Sequence, residues 1–169
     1  MALKPICILV ITYIFICTAS AAHANDKLAA HFEDGCGMWG VPPSLAMAIA
    51  KVESDFRPFT INVQGRSHYM NDKESSLALI KKASSSRQSY DVGLMQINSY
   101  WLNKLNLDPA EVLDPRINII IGCWILSEEL KRYGMNWKAI GAYHTPVNKN
   151  PERARTYADK VLKAWEDYK

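Results

Sequence analysis

The stretch DPRINIIIGCWILSEELKRYG, which begins at Asp114, is the feature that most limits how this chain can fold. Asp114 is a good helix N-cap residue, Pro115 suits the first helical position, and Gly134 is a typical stop. Between these signals, residues 117–125 are apolar on nearly every side of a helix. Because such a helix has no polar face to turn toward water, other elements have to surround it. We therefore predict a buried central helix around which the rest of the domain packs.

The other segments predict further helices and one small sheet. Helical patterns cover about Asn25 to Asp34, PPSLAMAIAKVE with Ser44 as N-cap, KESSLALIKKA and NWKAIGAYH. A last helix begins at Pro151, and we interpret its aromatic stripe, which includes Tyr157, as core. FTINVQGRSHYM alternates in polarity, which predicts a β-hairpin turning at Gln64-Gly65. GCGMWG fits a dinucleotide-binding fingerprint by its letters, but it follows a helix and precedes two prolines, so we interpret it as a turn. The predicted fold class is mainly α (α+β), with a small β-hairpin.

The first 24 residues have the character of an export signal. Lys4 precedes an apolar run that extends to about residue 19, and Ala22-His23-Ala24 supplies a small-x-small cleavage pattern. We predict a signal peptide over 1–24 and a mature domain over 25–169 that is periplasmic or secreted, with no membrane span after cleavage. An uncleaved membrane anchor is the alternative, although the run is short for a span of about 20 residues.

Charge and residue spacing exclude several functions. The chain has 20 Lys+Arg and 17 Asp+Glu, and residues 1–24 contain one lysine and no acid, so the mature chain carries a net charge of +2. That excess is far below the charge of a typical nucleic-acid-binding domain. No His-Glu-x-x-His motif, cysteine–histidine spacing or phosphate-binding loop occurs. We predict no metal, no organic cofactor and no nucleic-acid partner.

Two cysteines remain once the predicted signal peptide, which contains Cys7 and Cys17, is removed. In an oxidising compartment an even pair predicts a disulfide, here between Cys36 and Cys123. It would close a long loop and stabilise the fold by about 2–4 kcal/mol. Two buried free thiols are the alternative; a catalytic cysteine is disfavoured because neither residue has a histidine in a known nucleophile signature.

Glu53 occupies an unusual place on the helix that PPSLAMAIAKVE predicts. It follows Leu45 and Ile49 at a spacing of four residues, with Val52 beside it, and these side chains share one helical face. Pro58 ends the helix shortly afterwards. An apolar face and the negative end of the helix dipole both disfavour a charged carboxyl group, so we expect a raised pKa for Glu53. Such a group suits a general acid working near neutral pH; a solvated glutamate at a helix end is the alternative.

Three segments, taken in order, resemble those of the lytic transglycosylases, lysozyme-like enzymes that cleave peptidoglycan. They are AIAKVESDF, which contains Glu53-Ser54; YDVGLMQIN, which contains Met95, Gln96 and Asn98; and IGAYHTP, which contains Tyr143 and His144. The resemblance extends over about Cys36 to Val161 and includes NIIIGCWIL and YADKV. It implies a lysozyme-like fold. The insert after FTIN is similar to that of small members which accompany secretion and conjugation machines, and it implies components of such an apparatus as partners.

The resemblance implies a role for the residues of the first two segments. Glu53 is the single catalytic acid/base, and Ser54 helps to orient it or the N-acetyl group of the sugar. Met95, Gln96 and Asn98 belong to the motif that lines the cleft, and Gln96 is expected to hydrogen-bond substrate. From the residues alone, core packing explains Met95 equally well, and turn chemistry explains Asn98.

The third segment departs from the family pattern. Tyr143 matches a family tyrosine near the glutamate, although a packed aromatic residue is the alternative. The usual AYN plus glycine is AYHTP here, so His144 stands where the family has asparagine. We expect His144 to contribute to substrate binding by a hydrogen bond.

The reaction that the resemblance implies uses Glu53 twice. Its carboxyl group protonates the β-1,4 glycosidic oxygen between N-acetylmuramic acid and N-acetylglucosamine. The carboxylate then accepts the proton of the C6 hydroxyl, which attacks C1 and closes a 1,6-anhydro ring. The muramoyl N-acetyl group stabilises the oxocarbenium ion, so the second carboxylate of most glycosidases is not needed.

Two other functions fit the same residues. A muramidase would hydrolyse this bond with water and would need a second carboxylate; Asp91 is the candidate, because Asp55 would point away from the face of Glu53. A non-catalytic peptidoglycan-binding scaffold protein would keep the cleft without the reaction. For the transglycosylase and the muramidase alike, the small size of the chain and the family resemblance favour local opening of the cell wall for a secretion or conjugation apparatus.

Overall fold

The computed structural model describes residues 26–168, so the predicted signal peptide over 1–24 lies outside it. The described elements are, in order, α1 (26–37), α2 (Pro43–Ser54), β1 (Thr60–Val63), β2 (Arg66–Tyr69), α3 (Lys73–Ser85), β3 (Tyr90–Val92), β4 (Ile97–Asn98), α4 (Ser99–Leu105), α5 (Pro109–Val112), α6 (Pro115–Tyr133), α7 (Trp137–His144) and α8 (Pro151–Trp165). A 3-10 turn, Glu166–Tyr168, follows α8. The predicted mainly α fold class with a small sheet is confirmed.

Helix α6 is the buried centre of the fold, as its sequence predicts. The Asp114 carboxylate accepts hydrogen bonds from the main-chain N–H groups of Arg116 at 2.9 Å and Ile117 at 3.1 Å. Gly134, with φ +76°, ends the helix. Helix α7 packs against α6, and α8 packs against both α7 and α2. The buried side chains of α6 lie on more than one of its faces and include Asn118, Ile119, Cys123, Ile125 and Leu126.

The sheet is larger than the predicted hairpin. Strands β1 and β2 pair antiparallel, and both turn residues have positive φ, +49° at Gln64 and +85° at Gly65, so the hairpin is confirmed. Strands β3 and β4 extend it to an antiparallel sheet of order β2-β1-β3-β4. These two strands have three and two residues, too few to show an alternation of polar and apolar residues.

The start of α2 differs from the prediction. Pro42, not Ser44, is the N-cap residue, and no side chain caps the helix. The reason is that Pro43 is already set to a helical φ and begins the helix two residues earlier than an N-cap at Ser44 would. The Ser44 hydroxyl instead accepts a hydrogen bond from Nε1 of Trp165 at 2.8 Å, which ties α2 to the end of α8.

One further local prediction needs revision, and two short helices were missed. GCGMWG is only partly a turn, because α1 continues to residue 37 and the turn occupies residues 38–40. Helices α4 and α5 were not predicted; the side chains of Asn98 and Asp108 cap them. Both helices are short, so they contain too few turns to show an apolar stripe.

Cys36 and Cys123 form the predicted disulfide. Their Cα atoms lie 5.3 Å apart and both side chains are fully buried. The bond joins the end of α1 to the central helix across 87 residues of sequence. It therefore holds the N-terminal helix against the core.

Reduction of this disulfide is expected to lower the free energy of unfolding by about 2–4 kcal/mol, because the reduced unfolded chain gains loop entropy. Urea unfolding of the oxidised and reduced protein, each checked by intact mass after alkylation, measures the difference. A Cys36→Ala, Cys123→Ala variant, which cannot form the bond, serves as the control that should not respond to reductant. Equal midpoints for oxidised and reduced wild-type protein would contradict the prediction.

Candidate active site

A cleft of about 880 Å³ lies between the sheet and helices α2, α4, α6, α7 and α8. Five of the residues predicted for the site line it together: Glu53, Gln96, Asn98, Tyr143 and His144. Ser54 and Met95 are buried behind its wall, with 3% and 0% of their surface exposed. The three sequence segments are thus brought to one place, although not every predicted side chain faces the cleft.

Glu53 lies in the last turn of α2, on the face whose other members, Leu45 and Ile49, are fully buried. Burial raises the pKa of the Glu53 carboxyl to about 7, and the nearby charge of Asp91 adds to the rise. The hydroxyl of Tyr157 donates a hydrogen bond of 2.7 Å to Oε1 of Glu53, which favours the carboxylate and opposes the rise. A carboxyl group with this pKa can donate a proton and accept one near neutral pH.

Tyr157 is a site residue that the sequence analysis assigned only to the core. It is indeed buried on α8 with Ala154, Ala158 and Val161, but its hydroxyl reaches Glu53. Burial and the proximity of Glu53 and Tyr143 raise the pKa of Tyr157 well above its usual value, so the phenol stays protonated as a donor. The only signal for it was its position in YADKV, a segment that the resemblance includes.

The main chain of residues 93–96 is held from three sides. The Ser54 hydroxyl donates to the carbonyl of Leu94 at 2.8 Å. The Tyr143 hydroxyl donates to the carbonyl of Met95 at 2.8 Å, and the N–H of Met95 donates to Oδ1 of Asn118, also at 2.8 Å. Because Ser54 is adjacent to the catalytic candidate, these bonds fix the loop relative to the carboxyl group.

Asn118 is the second residue that the sequence analysis missed, because it lies within an otherwise apolar stretch of α6. Its fully buried amide also donates to the carbonyls of Val92 at 2.9 Å and Val112 at 2.8 Å. A Cβ atom added at Gly93 would come within 2.2 Å of Asn118 Nδ2, and φ of Gly93 is +82°. A glycine at this position is therefore required both by the space and by the backbone.

Gln96 and Asn98 present amide groups at the cleft in different ways. Gln96, with a left-handed φ of +47°, donates through Nε2 to the carbonyls of Thr60 at 2.9 Å and Gly93 at 2.8 Å. This leaves its amide oxygen as an acceptor. The Asn98 amide is occupied locally: Oδ1 caps α4, and Nδ2 donates to Asp91 at 2.6 Å.

Of the two aspartates considered as a second carboxylate, Asp91 lines the cleft and Asp55 is outside it. Glu129 also lines the cleft and forms an ion pair with Arg132. Burial raises the pKa of Asp91, while the hydrogen bond from Asn98 favours its charged form. Asp55 is exposed and forms ion pairs with Lys51 and Arg57, as expected for a side chain pointing away from the Glu53 face. Of these two aspartates, only Asp91 is placed to share a substrate with Glu53.

Residues 26–168 lack both a cluster of metal ligands and a helix suited to crossing a membrane. In this range no group of three or more His, Cys, Asp or Glu side chains could hold a metal ion. No helix among the same residues has the length and hydropathy to cross a membrane.

Comparison with known proteins gives consistent matches. The family model described as "Transglycosylase SLT domain" matches residues 32–164. "Invasion protein IagB" of Salmonella typhi is 30% identical over 162 residues, which cover 93% of this chain and 86% of that protein. A "Peptidoglycan-binding-like protein" of Escherichia coli O157:H7 is 31% identical over 79% of this chain and 74% of its own length. "Protein IpgF" of Shigella sonnei is 27% identical over 75% and 73%. This chain therefore belongs to the SLT-domain family of lytic transglycosylases.

Proposed function

We propose that this enzyme cleaves the β-1,4 bond between N-acetylmuramic acid and N-acetylglucosamine and leaves a 1,6-anhydromuramoyl product. The observation that carries the proposal is the half-buried Glu53 carboxyl, whose pKa is raised to about 7 in a cleft that the three motif segments line. Such a group is protonated often enough to act as an acid and ionised often enough to act later as a base.

The two steps place different demands on Glu53. In the first, its proton goes to the glycosidic oxygen, the C1–O bond breaks, and the muramoyl N-acetyl oxygen stabilises the charge at C1. In the second, the carboxylate removes the C6 hydroxyl proton while O6 bonds to C1, so water is not consumed. The hydrogen bond from Tyr157 stabilises the carboxylate between the steps.

For substrate binding we assign direct contacts to the residues that line the cleft and a supporting role to those behind it. Gln96, through its amide oxygen, and Tyr143 lie on the wall, with Asn98 and His144 at the same cleft. Ser54 supports the cleft by holding the loop of residues 93–96, and Met95 is part of that loop. Four basic side chains line the cleft and suit the lactyl and peptide carboxylates of muramoyl residues: Lys104, Arg132, Lys149 and Arg153.

We further propose that residues 1–24 are a signal peptide cleaved near Ala24, that residues 25–169 work in the periplasm or outside the cell, and that the enzyme opens the wall locally for a secretion or conjugation apparatus. The similarity to a protein named for invasion supports this role. Deletion of the protein should impair assembly of the apparatus. Normal assembly in the deletion strain would rule out this role but would not count against the proposed enzymatic activity.

Mass spectrometry of the soluble products from purified peptidoglycan tests the reaction itself. The anhydro product is lighter by one water than the product of hydrolysis, so a single spectrum separates the two. Anhydromuropeptides support the transglycosylase. Products with a reducing end indicate a muramidase, and the absence of products indicates a scaffold protein or a missing activating partner.

A muramidase is the second candidate function because Asp91 shares the cleft with Glu53. In a transglycosylase, Asp91→Asn should cost at most about tenfold in kcat, whereas the loss of a general base costs about 10²–10⁴-fold. The charge of Asp91 raises the pKa of Glu53, so the substitution should also move the alkaline limb of the pH–rate profile to lower pH. Rates from pH 5 to 9 with product masses measure both effects; the exposed Asp55→Asn is the control.

A further inference from the structure

His144 is connected to Glu53, the candidate acid, through the side chain of Tyr157. Its imidazole ring is stacked on the ring of Tyr157, with centroids 4.7 Å apart and planes 27° from parallel. The Tyr157 hydroxyl donates the hydrogen bond of 2.7 Å to Oε1 of Glu53. His144, Tyr157 and Glu53 therefore form a continuous chain of contacts across α7, α8 and α2.

The imidazole is itself held in place. Its Nδ1 lies 2.7 Å from Oγ1 of Thr145, and Thr145 is 9% exposed. His144 is the last residue of α7, whose Tyr143 is bonded to the carbonyl of Met95. A ring anchored at its edge and at its backbone can restrain the aromatic ring against which it stacks.

Burial and the two basic side chains of α8 that act on His144, Arg153 and Lys160, favour a neutral imidazole. The other charged groups of the cleft that His144 lines are of both signs: Glu129 and Arg132 on α6, Lys149 after α7, and Glu53 on α2. Burial, Arg153 and Lys160 lower the pKa of His144. A neutral ring matters because an imidazolium beside Tyr157 would favour the ionised form of Glu53, so that a smaller fraction of Glu53 would carry a proton to donate near neutral pH.

We propose that His144 is a positioning residue of the catalytic acid, which by stacking on Tyr157 holds the phenol hydroxyl against Oε1 of Glu53. This role rests on the proposed function, and it replaces the direct substrate contact that a place at the cleft would by itself suggest for His144. An aromatic ring at position 144 supplies the stack, which an asparagine side chain cannot.

The direction in which loss of His144 should shift the Glu53 pKa follows from the hydrogen bond between Tyr157 and Glu53. The bond from Tyr157 lowers the pKa of Glu53. Loosening it should therefore raise that pKa and move the alkaline limb of the pH–rate profile to higher pH. Loss of a fixed orientation of the carboxyl group should also lower kcat by about 10–100-fold with little change in KM.

The test titrates the Glu53 side-chain carboxyl by carbon-13 NMR, assigned with Glu53→Gln, so that it does not depend on activity. We expect His144→Ala and His144→Asn to raise the Glu53 pKa and His144→Phe, which can still stack, to recover most of the wild-type value. In a double-mutant cycle, His144→Ala should add little once Tyr157→Phe has removed the hydroxyl. His31→Ala on α1 is the matched control for loss of a histidine.

Rates on peptidoglycan then separate the possible roles of His144. An effect on KM that persists in the Tyr157→Phe background, with an unshifted Glu53 pKa, would assign His144 to substrate binding and overturn the inference. Full additivity of the two Glu53 pKa shifts would also overturn it. Thermal unfolding of each variant checks folding, and His144→Phe gives an answer even if His144→Ala is unstable. Absence of glycan cleavage by the wild type would count against the proposed function, whereas the NMR titration would still decide the positioning role.

Discussion

Glu53→Gln is expected to abolish cleavage of peptidoglycan, with kcat lowered by about 10³-fold or more. An amide has nearly the shape of a carboxyl group and can still accept the Tyr157 hydrogen bond, but it cannot protonate the glycosidic oxygen or take up the C6 proton. Quantification of anhydromuropeptides over time measures the loss. The exposed glutamate of α1 provides a matched control, Glu33→Gln, which should leave the rate unchanged.

The same substitution has an expected effect on stability that depends on pH. The folded-state pKa of Glu53 is raised from 4.5 to about 7, so between these values the folded protein binds the proton more tightly than the unfolded chain. The contribution of Glu53 to stability is therefore greatest below pH 4.5 and is lost as the pH rises through 7. Glutamine cannot ionise, so the variant should be more stable than wild type at pH 8, on the order of 1–3 kcal/mol, and similar to it at pH 4.

Unfolding by urea at pH 4 and pH 8 measures this difference for wild type and for both glutamine variants. Residual activity of Glu53→Gln close to that of wild type would show that another group is the acid. Lower stability of Glu53→Gln at pH 8 would show that the ionised carboxylate is well solvated or compensated, contrary to the raised pKa.

Asn118→Leu is expected to lower the free energy of unfolding by about 3–5 kcal/mol. The two side chains have similar volume, but leucine would leave the carbonyls of Val92 and Val112 and the N–H of Met95 without their partner. Each unsatisfied buried group costs about 1–3 kcal/mol, and relaxation of the loop recovers part of the sum. The exposed Asn103→Leu on α4 is the matched substitution and should change stability by less than about 0.5 kcal/mol.

Loss of the Asn118 hydrogen bonds should also disturb the cleft, because Asn118 holds the loop that contains Gln96. We expect Asn118→Leu to lower kcat/KM even at temperatures where the variant is fully folded. Urea unfolding and rates at 15 °C give both readouts. Unchanged stability would mean that the three main-chain groups find other partners, and unchanged kcat/KM would mean that the loop does not need this support.

Local signals in the sequence were sufficient for much of the fold. The caps of α6 at Asp114 and Gly134 and the turn at Gln64-Gly65 are where they were predicted, because each depends on a few consecutive residues. The short strands β3 and β4 and the start of α2 were not predicted correctly. Strands this short have no periodicity of their own; β3 forms because β1 offers a free edge for pairing, and β4 pairs in turn with β3.

The position of Glu53 was determined by the sequence, since a glutamate on the face of Leu45 and Ile49 has to be at least partly buried once that face packs. The partner of Glu53, and the partner that holds the cleft loop, were decided only by the tertiary structure. Tyr157 is separated from Glu53 by 104 residues, and Asn118 from Met95 by 23. A periodic pattern shows that a helical face is buried, but not which residue it meets, because that depends on how α2, α6 and α8 cross.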